Sequence, residues 1–449
     1  MSNWPRLAVG TVQPTADHLP MLWALCEVIR RRGIQPQVFH SQSNFRDAVG
    51  GDVICGVRAR YLDSWLMSPE LCGESFMHGA QGSDLAIVAG RYPSAVAAGG
   101  GSGTKPSGGS LVDVCDWLDL AALVVVDVAQ LTPCRLPVLP ATASGLLLDG
   151  VAPDELAHWA TMLESLWGIP VLGALPPGPG LKAKLHDCKA RVTTPCALCE
   201  QLGDHLAASL RVDRLLQLAG RPALTRRASW LFRAGNKLDG LRVAVAYDEA
   251  FNHYFPDVLD VLELQGAEVQ DFSPLHDDKL PDACDVIYLG GGRLAAFAPD
   301  LARNSCLPVA LRDHVRQGKR IYAEGDGLAY LCQQVQLSGA AYAMAGVLPA
   351  VAVAQQDLSP PEPVEITLAQ HHWLGSGGSK LRGYRTGEWD IRRLASLASF
   401  VAERDRSLDL VGYHNAAGSR LALNFAAQPQ FLQRFASGRR PHVDTIPVR

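Results

Sequence analysis

The sequence predicts an α/β protein built from two parallel-sheet domains, and three observations carry that expectation. Short continuous apolar runs alternate with helical stretches along the chain, its 449 residues exceed one ordinary core, and a polar, arginine-rich interval at 222–240 separates two such alternations. Strands that are apolar on both faces belong to parallel sheets covered by helices on both sides. Single cores stop growing near about 250–300 residues, so a chain of this length divides. The expected organisation is a first domain at 1–221, a linker at 222–240, a second domain at 241–440 and a loose tail at 441–449.

The elements follow in order. Arg6–Thr11 reads as a strand, Leu22–Arg30 as a helix and Pro36–Phe39 as a second strand. Asp84–Gly90, Leu123–Asp127, Ala143–Asp149 and Ile169–Leu175 are further apolar strands, with a helix over Glu155–Trp167 and a closing helix over Leu206–Leu218. The second domain opens with the strand Leu241–Ala246 and continues with Val286–Leu289 and Ile321–Glu324, the last followed by a helix start at Leu328–Leu331. Gln355–Pro363 and Gly375–Ser379 read as surface connections, because Pro, Gly and Ser punctuate them.

Composition narrows the function. A net charge of -4 argues against nucleic acid as a partner. No stretch reaches the roughly 18 apolar residues that span a bilayer, and the N-terminus lacks a basic region leading into an apolar run. A cytoplasmic protein without a membrane partner is expected. Eleven cysteines in so long a chain do not suggest a disulfide framework. One group, His186, Cys188, Cys196 and Cys199, contains a Cys-x-x-Cys and is a candidate tetrahedral metal or cofactor site. The alternative is a helix starting near Pro195 with two cysteines on its inner face.

Four motifs carry a resemblance. They are Val245–Asp257, Phe272–Asp277, Tyr288–Gly292 and Ile321–Leu331, and in this order and spacing the chain resembles the cobyrinate and hydrogenobyrinate a,c-diamide synthase family of glutamine amidotransferases. The resemblance spans residues 5 to 437. It implies a P-loop-like first domain of the dethiobiotin synthetase type and a class I glutamine amidotransferase-like, flavodoxin-like second domain. It further implies glutamine hydrolysis coupled to ATP- and magnesium-dependent amidation of a tetrapyrrole, and leaves a homodimer open.

Against that pattern the chain departs where the chemistry lies. The family places a cysteine on a tight strand-to-helix turn, where backbone amides can hold the oxyanion; this chain has Gly325. Gly290, Gly291 and Gly292 keep the backbone loop suited to close approach, flanked in the implied pocket by Glu324 and Asp326. The family's closing motif carries two histidines, and here the matching positions are Ala422 and Asn424, with Pro429 and Arg434-Phe435 still correctly spaced. His414 is the nearby alternative base. A further motif is eroded to Arg382-Gly383-Tyr384-Arg385-Thr386.

The first domain departs in the same way. Its loop Thr11–His18 has no lysine and no second glycine, Pro14 removes an amide donor, and Asp17 would repel phosphate. Ala89 stands where the family has a magnesium-side carboxylate. Lys105, in Gly101–Lys105, is a candidate displaced phosphate ligand, with a flexible loop as the alternative. Tyr61, Asp63 and Trp65 match a family segment, as do Asn252, Tyr254 and His186.

Three functions therefore compete. The first is a catalytically impaired homologue that binds a tetrapyrrole, or partners an active enzyme of cobalamin- or siroheme-type tetrapyrrole metabolism. The second is an ATP-dependent amidoligase using free ammonia. The third is different chemistry in the former glutaminase pocket, with Glu324, Asp326 and His253 as acid–base candidates.

Overall fold

The computed structural model describes residues 4–43, 45, 56, 58–92, 108–132, 136–178, 180, 184, 196–224, 230–356, 360–394, 397–401 and 408–436. Lys105, His186, Cys188 and the expected tail at 441–449 lie outside them. The chain divides into two compact units, Met1–Ser229 and Trp230–Arg449.

The first unit carries strands β1 (Arg6–Thr11), β2 (Pro36–His40), β3 (Arg60–Tyr61), β4 (Leu85–Arg91), β5 (Ala121–Asp127), β6 (Ala143–Asp149) and β7 (Val171–Leu175). They form one parallel sheet in the order β3-β2-β4-β1-β5-β6-β7. Its helices are α1 (Leu19–Arg31), α2 (Pro69–Gly79), α3 (Leu111–Leu118), α4 (Leu156–Trp167), α5 (Cys196–Ala207) and α6 (Val212–Ala219). Helix α1 starts with a proline in its first turn, where no amide partner is lost, and ends on Arg30 and Arg31, which favour the negative end of the helix dipole. Its apolar residues, including Leu22, Trp23 and Cys26, share a core with Val9, Ile87 and Leu123 of the sheet and with Leu198, Cys199 and Leu202 of α5.

The single closing helix expected over Leu206–Leu218 is two helices. Between them Ser209 Oγ accepts from Ala174 N at 2.9 Å and the amide of Arg211 donates to Leu172 O at 2.7 Å. The chain breaks its helix there because it satisfies the free edge of β7 instead.

The second unit contains β8 (Arg242–Ala246), β9 (Phe251–His253), β10 (Glu268–Phe272), β11 (Val286–Leu289), β12 (Gly291–Gly292), β13 (Arg320–Glu324), β14 (Gln334–Leu337), β15 (Ala340–Ala343), β16 (Ala350–Ala354), β17 (Glu362–Thr367), β18 (Lys380–Arg385), β19 (Trp389–Arg393), β20 (Ala398–Ser399), β21 (Leu410–Tyr413), β22 (Ala416–Ser419) and β23 (Leu421–Ala422). Its helices are α7 (Pro256–Leu264), α8 (Leu294–Arg303), α9 (Cys306–Arg316), α10 (Asp326–Leu331) and α11 (Pro429–Ala436). The main sheet runs β10-β8-β11-β13-β22-β21-β20, parallel from β10 to β22 and antiparallel beyond. Three smaller sheets among the described residues, β12-β9, β15-β14-β16-β19 and β17-β18-β23, accompany it. Glu362 and Pro363, expected in a surface connection, stand in β17; that strand is an edge, where a proline costs no ladder bond.

Candidate functional site

The turn between β13 and α10 is an elbow. Gly325 sits there at φ +51°, ψ -110°, a backbone conformation that strains any residue with a side chain. Its amide donates to Ser419 O at 2.9 Å, so the turn is pinned to the end of β22. A Cβ built on Gly325 would meet nothing closer than Thr386 Oγ1 at 3.8 Å and Gly291 Cα at 4.0 Å. The position therefore combines the geometry of a strand-to-helix elbow with open space and no side chain.

The triple glycine faces this space, but its three residues differ. A Cβ on Gly290 would lie 2.6 Å from His253 O, and one on Gly292 2.0 Å from Ala250 O, whereas one on Gly291 finds its nearest neighbour at 3.5 Å. Close approach by the protein's own β9 segment, rather than by a substrate, demands glycine at 290 and 292. Two of the loop amides are also engaged: Gly290 N donates to the Tyr254 hydroxyl at 2.8 Å and Gly292 N to Asp326 Oδ2 at 3.0 Å. Tyr254 in turn donates to Ala246 O, so this family-matching tyrosine braces the loop. Asn252 lies half-buried on β9, two residues before it.

Glu324 and Asp326 flank the elbow as expected but are committed inside the protein. Alternation along β13 sends Ile321 and Ala323 into the apolar core and puts Tyr322 and Glu324 on the other face. Tyr322 donates to Glu324 Oε1 at 2.9 Å. Burial pushes the Glu324 carboxyl up to about 8, against the pull of hydrogen bonds from Tyr322, the Leu423 amide and Tyr288. Asp326 is buried too, and its second oxygen accepts from Trp389 Nε1 at 2.7 Å. Of the three acid–base candidates, only His253 is half-buried rather than fully buried, and it lies beside Gly291. Burial and then the charge of Arg293 push its pKa down to about 4, which keeps the imidazole neutral.

Ala422 and Asn424, expected to match the family's histidines, offer no base. Ala422 pairs with Tyr384 across β23 and β18. Asn424 is buried and its Oδ1 accepts from Ala427 N at 3.3 Å, closing a turn after β23. His414 is an exposed hairpin residue at φ +52°, at the start of β22, while Ser419 at the far end pairs with Glu324. At about 3.3 Å per residue, that offset is about 16 Å along the strand, so His414 does not reach the elbow.

In the first unit, the loop after β1 is closed on itself. Arg91 donates to the carbonyls of Gln13 at 3.3 Å, Pro14 at 3.0 Å and Ala16 at 2.9 Å. The Gln13 side chain bonds both the carbonyl and the amide of Asp127, and Asp17 Oδ1 takes the Leu19 amide at the start of α1. A phosphate cradle needs amides turned inward and an open helix N-terminus. This loop turns carbonyls onto an arginine and fills the helix end with a carboxylate, so its residues do not fit a triphosphate as placed. Ala89 is fully buried between β1 and β2 and presents no metal ligand.

The chain is 30% identical to the cobyrinate a,c-diamide synthase of Salmonella typhimurium over 441 residues, covering 93% of this chain and 94% of that protein. The chain belongs to the cobyrinate a,c-diamide synthase family. The synthase of the same name from Syntrophotalea carbinolica is 27% identical, with 85% of each chain covered. Residues 242–384 match the CobB/CobQ-like glutamine amidotransferase domain. Among solved structures, a glutamine amidotransferase aligns over 43% of this chain and 98% of its own at 16% identity and a TM-score of 0.34. The MinD cell division protein of Aquifex aeolicus aligns over 49% and 99% at 11% identity and a TM-score of 0.30.

The residues matched to the cobyrinate a,c-diamide synthase family in the first unit have structural duties. Asp63 is fully buried: Oδ2 accepts from Ser43 N at 2.7 Å, and Oδ1 from the amides of Trp65 at 3.0 Å and Leu66 at 3.2 Å. It ties the loops after β2 and β3 together. Tyr61 is buried on β3, its ring 5.9 Å from that of His40. Of the metal candidates, Cys199 packs in the α1 core; Cys196 opens α5, and His186 and Cys188 lie outside the described residues. No helix among the described residues is long and apolar enough to cross a membrane.

Sequence reasoning missed Arg91 and Trp389. Arg91 carried the one available signal, a cation immediately after the Ala89-Gly90 strand end.

Proposed function

We propose that this chain is a catalytically retired member of the cobyrinate a,c-diamide synthase family that binds a tetrapyrrole or partners an active enzyme of tetrapyrrole metabolism. The observation that carries the reading is Gly325, an elbow residue with room for a side chain and none present. Without a thiolate no acyl-enzyme forms, and backbone donors alone leave only a small residual rate. The absence of a histidine at Ala422 and Asn424 and the Arg91 clamp on the loop after β1 support the same conclusion for both half-reactions. The clamp also weighs against amidation with free ammonia, which would still need an activated carboxylate.

What the chain retains is the frame: the elbow, the glycine loop braced by Tyr254, and both sheets. Two measurements on the full-length protein test the reading. Incubation with L-glutamine is expected to release no ammonia, and robust release overturns retirement. Titration with cobyrinate, sirohydrochlorin, siroheme and haem is expected to change the absorption spectrum of at least one; silence with all four removes the tetrapyrrole arm. Co-purification with an active amide synthase then decides the partner arm, and its failure removes that as well.

A further inference from the structure

The face of β13 turned away from the apolar core carries a continuous row of aromatic rings. Tyr254 stands 5.1 Å from Tyr288, Tyr288 5.6 Å from Tyr322, and Tyr322 6.4 Å from Trp373, centroid to centroid. The three tyrosines are buried, whereas Trp373 is half-buried. The row therefore leads from a ring that an outside reagent can approach to rings it cannot.

Phenylalanine would fill such positions equally well, as Phe425 does 5.2 Å from Tyr322. The hydroxyls are what packing does not require, and they are not equivalent. Tyr322 donates to Glu324 Oε1 at 2.9 Å, and Tyr288 bonds the same carboxyl. Tyr254 donates instead to the carbonyl of Ala246. Losing an electron makes a phenol a strong acid, so a tyrosine is oxidised readily only where its proton has somewhere to go. A carboxylate can take that proton and a backbone carbonyl cannot. The row therefore ends, chemically, at the tyrosines that share Glu324.

Electrostatics give the row a direction. The Arg320 guanidinium lies 5.1 Å from the centroid of the Trp373 ring. A cation is attracted to the face of a neutral indole and repelled by one that has lost an electron, so Arg320 disfavours a positive hole on Trp373. An ionised Glu324 does the opposite at Tyr322. Both charges drive a hole inward.

We propose that Trp373 and Tyr322 form a hole-transfer relay with Glu324 as its proton acceptor. A one-electron oxidant outside the protein takes an electron from Trp373 and is itself reduced, leaving an indole radical cation. One electron then passes from Tyr322 to Trp373 and restores the indole. The phenolic proton of Tyr322 moves to Glu324 Oε1, which leaves a neutral tyrosyl radical and a neutral carboxylic acid, the oxidising equivalent now stored in the interior. The relay does not depend on the retirement of the elbow or on a tetrapyrrole.

Flash photolysis of the full-length protein with photogenerated ruthenium(III) tris-bipyridine tests it. The solution is held at about pH 9, above the value of about 8 to which burial raises Glu324, so that the carboxyl is ionised. The polar groups facing that carboxyl are Tyr322 on its own strand, Tyr288 of β11, Tyr254 before α7 and the Leu423 amide after β23. Tryptophanyl absorption is expected to give way to tyrosyl absorption in a first-order phase whose rate is independent of protein concentration. Tyr322→Phe and Trp373→Phe are each expected to slow that phase at least about tenfold. Glu324→Gln keeps an acceptor oxygen but cannot take the proton, and is expected to slow it by as much. Trp230→Phe removes an exposed indole and is expected to leave it unchanged. If Trp373→Phe does not fold, Tyr322→Phe, which deletes a single oxygen, and Glu324→Gln carry the test. A phase at full rate in any of the first three variants, its loss in Trp230→Phe, or a rate proportional to protein concentration overturns the proposal.

Discussion

The indole N–H of Trp389 donates to Asp326 at 2.7 Å across 63 positions of sequence, while Gly292 N holds the other carboxylate oxygen at 3.0 Å. One buried carboxylate thus locks the first turn after the elbow to both β19 and the glycine loop. Burial raises the Asp326 pKa, against the pull of the Trp389 and Gly292 bonds. Trp389→Phe keeps the bulk and removes the donor, so it is expected to destabilise the protein by about 1–3 kcal/mol. Urea unfolding measures this, and an unchanged midpoint would show that the bond contributes nothing.

The three glycines predict a graded series. Gly292→Ala places a Cβ 2.0 Å from Ala250 O, a clash with main chain that only a backbone shift relieves, and the variant is expected to be severely destabilised. Gly291→Ala meets only ordinary contacts and is expected to stay within about 1 kcal/mol of the natural protein. Gly325→Cys has the space but inherits the positive φ, at a cost of about 1–3 kcal/mol. It is also expected to release no ammonia from L-glutamine, since Ala422 and Asn424 supply no base. Equal melting temperatures for Gly291→Ala and Gly292→Ala would refute the steric ranking.

Glu324 makes stability depend on pH. Its carboxyl is raised by burial from an ordinary 4.5 to about 8, so between these values the native state holds a proton that the unfolded chain has released. The sign follows: the contribution is fully present below the lower value and is lost as pH rises through the upper one, at up to about 1.4 kcal/mol per pH unit. Glu324→Gln should flatten this slope. Parallel pH profiles for the two proteins would exclude a buried, protonated Glu324.

Arg385 Nε and Nη2 engage the two oxygens of Asp409 at 2.9 and 2.5 Å, and Nη1 reaches Glu362 at 2.9 Å. Asp409 is completely buried. Removing the cation strands that charge, so Arg385→Ala is expected to cost about 3–5 kcal/mol, far more than an exposed pair would. A loss under about 1 kcal/mol in chemical denaturation would contradict the pairing.

The α/β class, the main-sheet strands and the elbow were legible because each is encoded within a few residues: apolar runs, a glycine triplet, a strand-to-helix turn. The smaller sheets were not. Ala340–Ala343 contains no β-branched residue, and its strand exists only through pairing with Gln334–Leu337. The break before α6 was hidden for the same reason, since the edge of β7 that draws Ser209 and Arg211 lies far away in sequence.

By itself, the sequence determined the family and which residue types stand at the elbow, at 422 and 424 and in the loop after β1, because those are matters of residue identity. Only the tertiary structure decided which polar groups remain open. Arg91 reaches back 75 positions to take the Ala16 carbonyl, and Asp326 is claimed by Trp389. Hydrogen bonds are short-ranged and directional, so whether a buried donor has a partner depends on segments that folding alone brings together.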